Sequence, residues 1–172
     1  MKNILLEGKP GTGKTTLMLK IADGISSKKI GGFYTREIRE NNIRVGFSID
    51  TFDGLTGILS HINFKEDPRV GKYGVDLKSF EEIGVYELRR SLLNSDVILI
   101  DEIGKMELFS ESFKKMLIRC LDSDKPVIAT IMSRSHPSVD EIKKRDDVEI
   151  VSVTQNNRND ILNRLIALFE NH

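Results

Sequence analysis

A glycine-rich segment near the start of the chain has residue types and spacing that suit the binding of a polyphosphate. Residues 8–15 fit the pattern G-x-x-x-x-G-K-[ST] at every fixed position. Glycines let backbone N–H groups turn inward around phosphate oxygens, because no Cβ atom stands in the way. The pattern predicts a phosphate-binding loop that comprises the following residues: Gly8, Lys9, Pro10, Gly11, Thr12, Gly13, Lys14, Thr15 and Thr16.

Three side chains of this loop have predicted contacts with different parts of a bound nucleoside triphosphate. Lys14 is expected to reach the β- and γ-phosphates and to act in catalysis. The Thr15 hydroxyl is expected to ligate Mg²⁺, and Thr16 is well placed to touch the α-phosphate. The alternative is a glycine-rich turn that only caps the helix after it.

Two adjacent acids close a buried apolar segment later in the chain. Asp101 and Glu102 follow the run 97–100, where the chain is expected to leave the sheet. An enzyme with a phosphate loop needs a carboxylate at the end of a neighbouring strand to hold the Mg²⁺ shell. We therefore predict that Asp101 organises Mg²⁺ and that Glu102 orients or deprotonates the attacking water. Two solvated acids are the alternative, and Asp96, at the other end of the strand, is expected to be a surface acid.

Other side chains are weaker candidates for a role in such a site. Thr130 is a candidate polar sensor, since the end of its strand points at the γ-phosphate if that strand lies between the phosphate-loop strand and the Asp101 strand. A β-branched residue that only packs in the strand is the alternative. One arginine could stabilise the transition state, although a surface charge is the better interpretation of each of them: Arg36, Arg44, Arg134 and Arg158. Structural roles are expected for the remaining candidates, although the aromatic ones could stack on a base: His136, Cys120, Phe33, Tyr34, Phe47 and Phe52.

Apolar periodicity predicts the elements that must position these residues. Strands are predicted over residues 3–7, 32–39, 43–50, 55–60, 96–101, 126–131 and 148–153. Helices are predicted over residues 13–25, 79–93, 110–121, 138–144 and 157–169. Alternation of strands and helices after residue 96 is typical of βαβ units. We therefore predict one α/β domain over residues 1–172, with three layers, a mainly parallel sheet and an inserted β-hairpin at about 31–60.

Length, charge and composition exclude several classes of protein. The 172 residues carry 26 basic and 26 acidic side chains, so no basic footprint for a nucleic-acid polymer or an anionic membrane is present in the totals. The one cysteine excludes a disulfide within the chain. No apolar run approaches the roughly 18 residues of a membrane span. We expect a soluble, cytoplasmic monomer without a nucleic-acid or membrane partner.

Four segments resemble a known family, the small nucleoside-triphosphatases first described from thermophiles. They are residues 8–16, 32–35 with 44–47, 70–73 and 101–108, and residues 157–158 also fit. The most specific is the string Asp-Glu-Ile-Gly-Lys-Met-Glu-Leu at 101–108. The resemblance implies a RecA-like P-loop core and Mg²⁺-dependent hydrolysis of ATP, GTP and other NTPs to NDP and phosphate, with broad base selectivity. It further implies site roles for four residues: Glu102 as the catalytic carboxylate, Lys105 near the phosphates, and Asn157 and Arg158 in the base pocket.

Two other functions remain open from the sequence. A nucleotide or small-molecule kinase needs an acceptor pocket and usually an arginine-rich lid; no such lid is obvious, but the hairpin could shape an acceptor site. A nucleotide-gated regulatory protein would show very slow turnover that a partner strongly accelerates. NTP turnover without any acceptor distinguishes the hydrolase from the kinase.

Overall fold

The computed structural model describes residues 3–171, whose strands form one mixed sheet of nine strands. The strands are β1 (Asn3–Glu7), β2 (Ile30–Glu40), β3 (Ile43–Thr51), β4 (Thr56–His61), β5 (Arg69–Val70), β6 (Tyr73–Val75), β7 (Val97–Ile103), β8 (Val127–Ile131) and β9 (Val148–Ser152). The helices are α1 (Lys14–Gly24), α2 (Leu77–Phe80), α3 (Tyr86–Asn94), α4 (Glu111–Asp122), α5 (Pro137–Lys143) and α6 (Arg158–Glu170), with a π-helical turn at Glu81–Val85 and a 3₁₀ turn at Glu107–Phe109.

The order of the strands places the two chemically important strands close together. Across the sheet the order is β5-β6-β4-β3-β2-β7-β8-β1-β9. The part of the sheet formed by β2, β7, β8, β1 and β9 is parallel throughout. Beyond β2, the strands β3, β4, β6 and β5 continue the sheet with antiparallel pairs. One strand, β8, lies between β1, which leads into the phosphate loop, and β7, which carries Asp101. The predicted α/β fold with a mainly parallel central sheet is confirmed.

Helices cover both faces of the sheet and produce the predicted three layers. Successive side chains of a buried strand point to opposite faces, and Leu6 and Leu5 of β1 accordingly enter two separate apolar clusters. The Leu6 cluster includes residues of α1 and α6, and the Leu5 cluster includes residues of α3, α4 and α5. All catalytic candidates at the carboxyl ends of β1, β7 and β8 therefore rest on strands that are packed from both sides.

The predicted hairpin grows directly out of the parallel sheet. The first four residues of β2, 30–33, pair in parallel with β7, and its later part pairs in antiparallel fashion with β3. Asn41 and Asn42 form the turn with positive φ angles of 50° and 63°, which suit a tight hairpin turn. Because β2 continues beyond its last pairing with β7, between Phe33 and Ile100, the hairpin extends past the sheet edge at which Asp101 lies.

Several predicted boundaries were wrong. The helix predicted over 79–93 begins at α2, because the Asp76 carboxylate caps it by accepting the Ser79 N–H at 3.0 Å. Strand β7 extends to Ile103, so Asp101 and Glu102 lie within the strand instead of closing or following it. Residues 62–71, for which the sequence predicts neither a strand nor a helix, contain the short strand β5. Among residues 3–171, none of the helices combines the length and apolarity needed to cross a membrane.

Candidate active site

The phosphate loop connects β1 to α1 and has the backbone conformation that its glycines permit. Gly11 and Gly13 have φ angles of 83° and 82°, in the left-handed region that favours glycine. The Lys14 ammonium group donates a hydrogen bond of 2.6 Å to the Gly8 carbonyl and so folds back across the loop. Thr16 is exposed in the first turn of α1. The loop therefore presents a cation and the start of a helix at one concave edge, which suits an anion.

Asp101 lies at the centre of a buried hydrogen-bond network beside this loop. Its Oδ2 atom accepts the Thr15 hydroxyl at 2.8 Å and the Thr35 N–H at 3.5 Å. Its Oδ1 atom accepts the Thr130 hydroxyl at 2.6 Å. Burial raises the pKa of Asp101, and the hydrogen bonds from Thr130, Thr15 and Thr35 oppose that rise. Strand β8 lies between β1 and β7, which meets the condition stated for a role of Thr130, and Thr130 contacts the carboxylate from it.

Glu102 faces the phosphate loop from the next position of β7. Its Oε2 atom lies 3.9 Å from the Lys14 ammonium nitrogen, and its side chain is 37% exposed. Burial raises the pKa of Glu102, Lys14 lowers it, and Asp101 raises it. A Cβ atom on Gly104 would lie 2.7 Å from Glu102 Oε1, so the glycine leaves the space that the carboxylate occupies. A partly exposed carboxylate with a raised pKa, beside a cation, can accept a proton from a water molecule.

Arg158 and Asn157 lie where the last strand leads into α6, and their side chains have different contacts. The Arg158 guanidinium donates to the Thr12 carbonyl at 3.3 Å and therefore lies against the phosphate loop. The Asn157 side chain stabilises the turn between β9 and α6, because its Oδ1 accepts the Thr154 N–H at 2.7 Å and its Nδ2 donates to the Ser152 carbonyl at 2.8 Å. Arg158 therefore contacts the phosphate loop, whereas the Asn157 amide contacts the backbone of its own turn.

Most of the weaker candidates have structural partners. Arg36 forms an ion pair of 2.8 Å with Asp50, and Arg44 contacts Glu37 at 3.2 Å. Arg134 and Lys105 are exposed.

The candidates with expected structural roles are buried or pack locally. His136 accepts the Ser138 N–H at the start of α5, and Asp96 accepts the Lys29 N–H. Phe33 and Cys120 are fully buried, and burial raises the pKa of the Cys120 thiol to about 12. The Tyr34 and Phe52 rings pack against each other, with centroids 5.1 Å apart. Phe47 packs against the cluster that contains Phe33.

The sequence predicts no role for Glu107, whose carboxyl group has an unusual environment. The side chain is buried, and burial together with the Glu102 charge raises the pKa of Glu107 well above its ordinary value. Backbone N–H groups of Glu107 and Gly104 partly oppose this rise. The sequence feature that could have indicated a buried acid is the position of Glu107 between two apolar residues, Met106 and Leu108. Such acids with strongly perturbed pKa values concentrate at functional sites.

A cavity of about 530 Å³ lies beside the phosphate loop, on the side of the β9–α6 turn. Residues 7–12 form one wall, and the other wall consists of Ser133, Ser152, Val153, Thr154 and Gln155. This cavity has room for a group of the size of a nucleoside next to the predicted phosphate positions.

The fold and the site together define the class of the protein. A phosphate loop after β1, an acid on β7 and one strand between them are the features of P-loop nucleotide-binding proteins. A family model described as NTPase matches residues 3–166. The chain therefore belongs to the NTPase family.

Individual relatives agree with this membership. A protein from Thermotoga maritima named nucleoside-triphosphatase THEP1 is 47% identical over 97% of this chain and 95% of its own length. The human cancer-related nucleoside-triphosphatase is 38% identical over 96% of this chain and 95% of its own length. The crystal structure of THEP1 from Aquifex aeolicus superposes with a TM-score of 0.90, at 38% identity, over 98% of this chain and 99% of that one.

Proposed function

We propose that this protein hydrolyses nucleoside 5′-triphosphates to nucleoside diphosphate and phosphate in a Mg²⁺-dependent reaction with broad base specificity. Its NTPase family and relatives named nucleoside-triphosphatases support a hydrolase. One observation carries the proposal: the Glu102 carboxylate lies 3.9 Å from the ammonium group of Lys14. A carboxylate therefore faces the place where Lys14 would hold the γ-phosphate, and a water molecule there has a base beside it.

The residues around Thr15 fit a magnesium ion by their chemistry. Mg²⁺ prefers hard oxygen ligands and is usually held by one or two carboxylates together with substrate phosphates. The Thr15 hydroxyl and the Asp101 carboxylate are such donors, and their oxygens lie 2.8 Å apart. We propose that these two residues hold the ion. When bound, Mg²⁺ neutralises negative charge on the phosphate oxygens.

The protein's own groups bind the triphosphate, orient it and move one proton. Backbone N–H groups of the phosphate loop bind the phosphate oxygens, and Lys14 exchanges its bond to the Gly8 carbonyl for the β- and γ-phosphates. Glu102 accepts a proton from water as the water oxygen attacks the γ-phosphorus in line. The bond from the γ-phosphorus to the bridging oxygen breaks, and the diphosphate leaves. Lys105, which lines a cavity together with Glu102, adds positive charge near the γ-phosphate.

Broad base specificity is supported by the contacts of the β9–α6 turn. Strict base selection needs a side chain whose donors and acceptors match one base edge. The Asn157 amide holds the β9–α6 turn through its bonds to the Ser152 carbonyl and the Thr154 N–H, so these two hydrogen bonds are directed at the backbone and not at a base. Arg158 contacts the Thr12 carbonyl and supports the loop that binds the nucleotide. The monomeric state, the cytoplasmic location and the lack of nucleic-acid and membrane partners stay predictions.

Phosphate release from a panel of nucleoside triphosphates tests this function. We expect release without any acceptor or partner protein, with kcat/KM for ATP, GTP, CTP and UTP within about tenfold of one another. Chelation of Mg²⁺ by EDTA should reduce the rate by about 10²-fold or more, and added Mg²⁺ should restore it. Release that needs an added acceptor would favour a kinase, and release that needs a partner protein would favour a nucleotide-gated regulator.

Replacing Gly104 by alanine should lower kcat by about 10- to 100-fold and leave KM within about twofold. The new Cβ would lie 2.7 Å from Glu102 Oε1, so the carboxylate has to move away from its position beside the attacking water. Steady-state kinetics measure the effect. In a variant that also carries Glu102→Gln, the alanine should cause no further loss, because both changes act on one carboxylate. An additive loss in the double variant would contradict the explanation.

A further inference from the structure

A second cavity, here named the side cavity, opens beside Glu102. Its apolar wall is formed by Phe47, Leu59, Val70 and Met106. These four side chains belong to or pack against the apolar cluster on the sheet face away from α1. Glu102 lines this cavity and also faces Lys14, so the side cavity adjoins the position of the γ-phosphate.

The size of the side cavity does not match a single attacking water. Its volume is about 170 Å³, several times the roughly 30 Å³ that one water occupies in the liquid. Pockets for drug-sized ligands begin at about 300 Å³, so the side cavity suits a smaller molecule. One attacking water fills only a small part of this space.

The chemistry of the lining indicates what kind of molecule fits. The apolar wall favours an apolar body, since each buried methylene improves binding by about fourfold. The polar residues Thr35, Glu102, Lys105 and Glu107 also line the side cavity. The Thr35 N–H contacts Asp101 at 3.5 Å, which places Thr35 beside the Asp101 carboxylate. A molecule with an apolar body and one hydroxyl group can direct that hydroxyl at Glu102.

We propose that the side cavity binds a small primary alcohol with an apolar body, and that the protein transfers the γ-phosphoryl group to it. The alcohol oxygen forms a bond to the γ-phosphorus, and the bond from that phosphorus to the bridging oxygen breaks. Glu102 accepts the hydroxyl proton, the nucleoside diphosphate leaves, and the alcohol becomes a phosphate monoester. The inference rests on the proposed function, because the alcohol takes the place of water before the same base.

The ratio of phosphate monoester to inorganic phosphate tests the side cavity directly. The protein is incubated with Mg²⁺ and ATP in the presence of methanol, ethanol, 1-propanol or 1-butanol at equal concentrations, and both products are measured by ³¹P NMR. We expect the ratio to rise by about fourfold with each added methylene. A ratio that stays flat along the series, or phosphate release without any ester, would overturn the proposal.

A variant that fills the side cavity separates it from the catalytic groups. Val70 lies on the apolar wall, so Val70→Phe should reduce the ester ratio for 1-butanol by about tenfold, as two or more methylenes lose their space. Hydrolysis without alcohol should stay within about twofold. Ile58→Phe is the matched control, because Ile58 is 42% exposed, adjoins Leu59 in β4 and is not among the residues that line the side cavity. An unchanged ratio in Val70→Phe would also overturn the proposal.

Failure of this inference differs from failure of the proposed function. A protein that releases phosphate normally but forms no ester contradicts the side cavity alone. A Glu102→Gln variant that releases phosphate at the rate of the unmodified protein contradicts the role of Glu102 as the base in either reaction. An unmodified protein that releases no phosphate from any nucleoside triphosphate contradicts the proposed hydrolysis.

Discussion

Replacing Glu102 by glutamine should reduce kcat for nucleoside-triphosphate hydrolysis by about 10²- to 10⁴-fold, the usual contribution of a general base. Glutamine keeps the size of the side chain but accepts no proton at neutral pH. The loss should appear in kcat, because Glu102 contacts the attacking water and the phosphate loop binds the substrate. Steady-state phosphate release gives kcat, and titration with a fluorescent nucleotide in the presence of Mg²⁺ gives Kd.

The Glu102→Gln variant should bind the nucleotide as tightly as the unmodified protein or more tightly, although its kcat falls. Glu102 Oε2 lies 3.9 Å from the Lys14 ammonium group, so the carboxylate competes with the phosphates for that cation. Its removal should leave Kd unchanged or lower by up to about threefold, because the partly exposed pair is screened by water. Glu111→Gln is the matched control, since it removes one negative charge from a side chain that is 76% exposed. Turnover of Glu102→Gln at the rate of the control would remove Glu102 from the mechanism.

The phosphate loop could be predicted from the sequence because its geometry depends on neighbouring residues. Glycines at positions 11 and 13 permit the left-handed φ angles that turn the loop, and Lys14 and Thr15 follow at fixed positions in the first turn of α1. Each of these constraints acts within a few residues, so a short pattern is sufficient. The position of Asp101 on a buried strand could also be predicted from the sequence, because an apolar run that ends in two acids indicates such a strand.

Contacts between distant strands could not be predicted in the same way. The bond from Thr130 to Asp101 depends on β8 lying beside β7, which the local sequence does not specify. The contact of the Thr35 N–H with Asp101 depends on the register of β2 against β7. Both follow from the packing of the complete sheet, and the role of Thr130 was accordingly stated only as conditional on strand order.

The Asn157 side chain illustrates a second limit of sequence reasoning. The resemblance implies a place for Asn157 in the base pocket, which stays a prediction, and the structure adds local bonds from both of its polar atoms to Ser152 and Thr154. Polar side chains in turns satisfy backbone groups that would otherwise lack partners, and a short sequence pattern does not reveal this local role. The adjacent Arg158 reaches the Thr12 carbonyl because its side chain is long enough to leave the turn.

The charges of the site explain how a chain with zero net charge can bind a polyanion. Positive charge is concentrated at the loop, where Lys14 lies beside backbone N–H groups and Arg158 contacts the Thr12 carbonyl. Negative charge is concentrated on β7, where Asp101 and Glu102 face the same position. A small ligand with a bound cation matches this arrangement, whereas a polymer needs charge spread over a surface. The distribution of charge is therefore more informative than its sum.

Replacing Lys14 by alanine should weaken nucleotide binding and turnover together, which distinguishes it from the Glu102 variant. The ammonium group is expected to contact the β- and γ-phosphates before the reaction and the charge that develops during it. Loss of one such donor typically costs about 10²- to 10³-fold in kcat, and loss of a hydrogen bond between charged groups weakens binding by about 10- to 100-fold. Phosphate release and nucleotide titration measure the two effects separately.

A second lysine on the same helix makes this experiment specific. Lys20 lies on α1 and is exposed, so Lys20→Ala removes the same charge from the same element without reaching the loop. We expect its kcat and Kd to stay within about twofold of the unmodified protein. Lys14 also donates to the Gly8 carbonyl at 2.6 Å, so thermal unfolding of both variants should be compared. Normal binding and turnover in a folded Lys14→Ala protein would contradict the assignment of Lys14 to the β- and γ-phosphates, on which the interpretation of residues 8–16 as a phosphate loop depends.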